Sequence, residues 1–142
     1  MTTTDEQQTP PPFDPQVVAA LPMVADGSNP DFGKYVIDLF VDSAGKAIAE
    51  FASAMTQHDG PTMQRVAHSL KSSAATVGAL ALAAKAREIE MALRAQALPV
   101  ATWPDELSNH YDRFRQALVH DTATTSAHSR HETEIDSPPP NR

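Results

Sequence analysis

The sequence predicts an all-α protein: an antiparallel up-down four-helix bundle with a short additional N-terminal helix. Three observations carry that reading. Apolar residues recur every three or four positions through the middle of the chain, which is the period of an α-helix. Helix-opening and helix-closing residues (Asn29-Pro30-Asp31, Asp59-Gly60-Pro61, Gly78, Leu98-Pro99) cut this periodic region into segments joined by short turns. No stretch alternates apolar and polar residues over the length of a strand. Amphipathic helices joined by short turns pack as antiparallel neighbours around one core.

The elements follow in order. Residues 1–12 are polar and Pro-rich, with nothing to bury, and are expected to be a disordered N-terminal segment or linker. Asp14-Pro15 opens a short helix, Asp14 as its N-cap and Pro15 at its first position, with Val17, Val18 and Leu21 on its apolar side. A long helix starts after Asn29-Pro30-Asp31, with a stripe of Phe32, Val36, Leu39, Phe40, Ala47, Phe51 and Met55. The next begins at Asp59-Gly60-Pro61 and carries Met63, Val66, Leu70, Ala74 and Val77. Gly78 follows as its left-handed C′ residue. Leu82, Ala86, Ile89 and Leu93 mark a third, which ends near Leu98-Pro99. Thr102, with Asp105 three places on, caps a last helix lined by Trp103, Leu107, Tyr111, Phe114 and Leu118. The bundle should span residues 13–120. Residues 121–142 hold one large aliphatic side chain, Ile135, and are expected to be a disordered tail.

Composition narrows the function. The chain has 142 residues and no cysteine, which excludes disulfides and thiolate metal sites. Its net charge of -7 argues against nucleic acid as the partner. No apolar run approaches the roughly 20 residues that cross a bilayer, and MTTTDEQQTPPPFDP lacks the basic and apolar blocks of a secretory signal. A cytoplasmic protein is expected, and a monomer, since the bundle closes its own core.

One residue stands apart from the core pattern. On a helix of about 100° per residue, His68 projects roughly 150° from the Met63/Val66/Leu70/Ala74/Val77 stripe. It faces outward, with Gln64, Lys71, Ser72 and Ala75 as its helical neighbours. Residues 61–98 hold five Lys/Arg against two Glu, so the surroundings of His68 are basic in an acidic chain. Such a patch suits a phosphoryl group or an acidic pocket on a partner. The small residues after Lys71 (Ser72, Ser73, Ala74, Ala75, Thr76) leave a low surface past the imidazole, across which a partner's active site could approach.

His68-Ser69-Leu70-Lys71-Ser72-Ser73-Ala74, followed by Gly78-Ala79 and Ile89-Glu90, closely resembles the histidine-containing phosphotransfer (HPt) domain, whose pattern runs His-x-Leu-Lys-Gly-Ser-Ala, Leu-Gly-Ala, Leu-Glu. Ser72 and Val77 depart from it, each by a small change. The resemblance implies a phosphorelay carrier in a two-component system. His68 would accept a phosphoryl group from an aspartate of one response-regulator receiver domain and pass it to another. Lys71 would neutralise phosphoryl oxygens, Glu90 would hydrogen-bond the second ring nitrogen, and Arg94 would lie near the phosphate. Gln64, Ser72, Ala75 and Gly78 would belong to the surface a partner meets. A hydrogen bond from Nδ1–H to Glu90 would fix the tautomer that leaves the other nitrogen free to attack.

The chain carries no Gly-rich phosphate loop and no paired acidic cluster for a metal. It is therefore read as a carrier without its own ATP site, not a kinase, and with no cofactor of its own; Mg²⁺ is expected on the partner receiver. TPPPFDP would suit a linker after an upstream domain, so the carrier could equally be free-standing or a module of a hybrid sensor kinase. His58, His110, His120, His128 and His131 are read as incidental. The alternative function is a non-catalytic helical bundle for adaptor binding or dimerisation, with no phosphate uptake. A metal or haem bundle ranks last, because the stripes are apolar apart from His110, which lies at or beside one of them.

Overall fold

The computed structural model describes residues 10–136, with side chains described to residue 121. The described residues form six helices: α1 (Pro15–Ala19), α2 (Pro22–Ala25), α3 (Phe32–Thr56), α4 (Gly60–Thr76), α5 (Leu80–Arg94) and α6 (Trp103–Asp136). The last four make the bundle. α3 packs on α4, α4 on α5, α5 on α6, and α6 closes back on α3. Consecutive helices are neighbours joined by short connections, which is the up-down arrangement. Among the described residues no helix is long and apolar enough to cross a membrane.

Local signals set the boundaries. The Asp14 carboxylate accepts from Gln16 N–H and Pro15 takes the first helical position of α1, as the sequence predicts. A second one-turn helix, α2, follows where the sequence pattern predicts only a single short helix, because Pro22 restarts the helix directly after Leu21. Asp59 caps α4, accepting from Thr62 N–H at 3.1 Å and from its hydroxyl at 2.6 Å. Gly78 ends α4 with φ +79°.

The core confirms the stripes of α4 and α6 and re-phases that of α3. Met63, Val66, Leu70, Ala74 and Val77 are buried, as are Trp103, Leu107 and Phe114. On α3 the buried residues are Phe40, Ala44, Ile48, Phe51 and Ala54. Leu39, expected in the stripe, is 53% exposed, and Phe32, Val36, Ala47 and Met55 are only partly covered. A 3.6-residue turn carries the buried line through 40, 44, 48 and 51 and leaves Leu39, beside it, facing outward. Phe114 sits between Phe40 and Phe13, edge-to-face with both at 5.3 and 5.5 Å. Tyr111 O–H donates to the Val41 carbonyl at 2.7 Å and ties α6 to α3.

Two expectations are corrected at α6. Thr102 precedes the helix, but its hydroxyl donates to the Glu106 carboxylate and no bond to Asp105 forms. The helix also runs to Asp136, past the expected end at residue 120. Residues 121–136 contain neither Gly nor Pro, so nothing in them breaks a helix. The expected disordered ends at residues 1–9 and 137–142 lie outside the described residues.

An N-terminal strap crosses the α4–α5 turn. Asp14 N–H donates to the Gly78 carbonyl and Ala81 N–H to the Pro11 carbonyl, both at 2.9 Å. A Cβ on Gly78 would collide with the Asp14 carbonyl, and the residue's φ disfavours any side chain. Gly78→Ala should therefore destabilise the fold by more than about 1 kcal/mol, read as a lower urea midpoint. Gly60→Ala, with nothing within 4 Å of the added carbon, should change stability by no more than about 0.5 kcal/mol or raise it.

Candidate functional site

α4 and α5 meet along a seam lined with small buried residues, Ala67 and Ala74 from one helix and Ala83 and Ala86 from the other. At the outer edge of the seam lies a carboxylate. Glu90 is 2% exposed and is the one buried charged residue among those described. A buried carboxylate is costly unless its oxygens are paired. Both of these are. Oε1 accepts from Lys71 Nζ at 2.7 Å, and Oε2 lies 2.7 Å from His68 Nδ1 and 3.0 Å from Arg94 Nη2. The Lys71 ammonium is the main cause that holds the Glu90 carboxyl at about 2, below its ordinary 4.5. Burial opposes this; His68 and Arg94 add to it.

An ionised carboxylate can only accept, so the neutral imidazole of His68 carries its proton on Nδ1. Nε2 is then the nitrogen with a free lone pair. The His68 side chain is 57% exposed, so the ring is anchored at one end and open at the other. A groove lined by Gly60, Pro61, Gln64, Arg65, Leu93 and Arg94 runs beside it. Arg65 pairs with Glu50 of α3 and closes one flank.

The residues singled out in the sequence fall as follows. His68, Lys71, Glu90 and Arg94 form one connected cluster, and Gln64 borders it in the groove. Ser72 and Ala75 are exposed on α4 with His68. Gly78 lies elsewhere, buried at the α4–α5 turn beneath Asp14 and Val17. Lys71, expected to neutralise phosphoryl oxygens, donates to Glu90 Oε1. Arg65 and Leu93 had not been singled out; their positions next to His68 and Arg94 follow from the relative placement of two helices, which no single stripe reveals.

The other described histidines are outside the cluster. His58 occupies the α3–α4 turn with φ 57°. His110 has a buried Nδ1 with no partner among the described residues. Burial first, then Arg113 and Lys85, hold it below its ordinary value. His120 is exposed on α6. The side chains of His128 and His131 lie outside those described.

A carboxyl depressed in the folded state stabilises fully above its unfolded value, and the contribution is lost as the pH falls through the folded one. Stability from Glu90 should thus be complete above about 4.5 and drain away from there toward about 2. Thermal unfolding of the wild type should drop across that window, and Glu90→Gln should show a shallower drop. Parallel curves for the two proteins would rule out a charged, paired Glu90.

No curated protein matches the chain. Among solved structures, the fold is similar to the crystal structure of histidine-containing phosphotransfer protein B (HptB) from Pseudomonas aeruginosa PAO1. The TM-score is 0.67 at 22% identity, over 78% of this chain and 94% of that one. The Hpt domain family matches residues 36–119, more than half of the chain and the whole of the His68 cluster. The chain belongs to the Hpt domain family, the histidine phosphotransfer modules of phosphorelays.

Proposed function

We propose that His68 takes a phosphoryl group on Nε2 from an aspartyl phosphate of a receiver domain and returns it to the aspartate of another. The observation that carries this reading is an exposed imidazole whose inner nitrogen is bound to a buried, ionised Glu90. The Nε2 lone pair attacks phosphorus, the bond to the aspartyl oxygen breaks, and the aspartate leaves as a carboxylate. The proton on Nδ1 stays where Glu90 holds it. The loaded ring carries one positive charge and its phosphoryl group two negative ones, so charge balances without a proton leaving the site. Onward transfer runs the same steps backward on a second receiver.

Positioning and charge compensation supply most of the catalysis in such transfers. Glu90 sets the ring; Lys71, one turn along α4 from His68, and Arg94, one turn along α5 from Glu90, stand beside it as counter-charges. Ser72 and Ala75 keep the face low, so a receiver can bring its aspartate and its divalent cation to Nε2. On this reading the carrier acts in the cytoplasm as a monomer.

Labelling tests the assignment. Incubated with a phosphorylated receiver, the wild type should acquire acid-labile phosphate, and His68→Gln should acquire none while remaining folded. Label retained by that variant would refute the role of His68. Lys71→Ala should load about tenfold or more slowly, measured as the initial rate of phosphate uptake.

A further inference from the structure

The carboxylate that orients His68 also holds the two cations nearest to it. Glu90 itself is buried and fixed, whereas Lys71 and Arg94 keep 33% and 61% of their side-chain surface in solvent. The cations can turn toward a new anion; the carboxylate cannot follow them. A phosphoryl group on Nε2 would present three strong acceptor oxygens on the outer side of the ring, within reach of the same two side chains.

We infer that Glu90 sets the phosphoryl-transfer potential of His68 by competing with the bound phosphoryl group for Lys71 and Arg94, an inference that rests on His68 as the phosphoryl site. Loading draws the ammonium and the guanidinium outward and leaves a buried carboxylate with fewer partners, which is unfavourable. Discharge restores them. The loaded histidine is thereby kept a ready donor. The direct effect of the Glu90 charge is small beside this: it attracts the positive ring close by and repels the doubly negative group farther off, and the two largely offset. A glutamine at this position would still accept from Nδ1–H but would release both cations to the phosphoryl group.

Phosphoramidate is the probe, because it loads histidine without a receiver. Nε2 attacks phosphorus, the bond from phosphorus to the ammonium nitrogen breaks, and ammonia leaves with its own three protons while Nδ1 keeps its one. At fixed phosphoramidate and ammonium concentrations, the ratio of loaded to free protein reports the transfer potential, by phosphorus NMR and intact mass. Glu90→Gln should raise that ratio about threefold or more. Lys71→Ala should lower it further in the Glu90→Gln background than in the wild type. A folded Glu90→Gln with an equal or lower ratio, or an equal effect of Lys71→Ala in both backgrounds, would overturn the inference. Should Glu90→Gln fail to fold, the wild type decides: the Glu90 Cδ and Lys71 Nζ resonances should both move on loading, and unmoved resonances would overturn it. If the wild type takes up no phosphate, or His68→Gln takes up as much, the phosphoryl-site reading itself falls and this inference with it.

Discussion

A single ionised carboxylate, shut away from water at the α4–α5 seam, imposes the order of everything around it. Glu90 brings together a ring nitrogen, an ammonium and a guanidinium, which between them answer two physical needs. The cations offset the loss of hydration. The imidazole supplies a neutral donor and receives a fixed tautomer in return. Without the carboxylate, His68 would be a surface side chain free to turn, with either nitrogen protonated. The site is built from burial and charge as much as from the histidine that gives the family its name.

The fold serves that arrangement by keeping two helices close. Alanines occupy the buried α4–α5 seam, so a side chain from α5 reaches partners on α4 without long spans. Bulk comes from Phe51, Leu70, Leu82 and Ile89, which are buried as fully as Ala67, Ala74 and Ala86. Large buried side chains in the core and small exposed ones, Ser72 and Ala75, beside His68 give a packed interior and a low face at the ring. One distribution of side-chain volume thus supports both stability and access.

Much of this was legible in the sequence. The outward direction of His68 followed from angular arithmetic alone, because α4 has a clean stripe of five residues. Asp14, Pro15, Asp59 and Gly78 announced their turns, because capping chemistry is local. The α3 stripe misled because Leu39 adjoins Phe40 and outweighs the alanines at 44 and 54, whose small side chains carry the true buried line. Sparse apolar content after residue 120 speaks only to burial, and the backbone continues as helix to Asp136 through a stretch without Gly or Pro. The engagement of Lys71 by Glu90 was hidden for another reason. Residues 71 and 90 lie on different helices, and the register between helices is absent from a one-dimensional pattern.

The strap at the start of the chain bears on where the domain ends. Ala81 lies in the first turn of α5, where the helix cannot satisfy its own amides, and Ala79 offers no side-chain cap. The carbonyl of Pro11 fills that role from outside, while Phe13 covers Phe114. Both lie more than twenty residues ahead of the stretch that the family match covers. A fragment trimmed to that stretch would keep every phosphoryl-handling side chain and still bare an amide and an aromatic face. The smallest piece that is recognisable is thus smaller than the smallest piece that is whole.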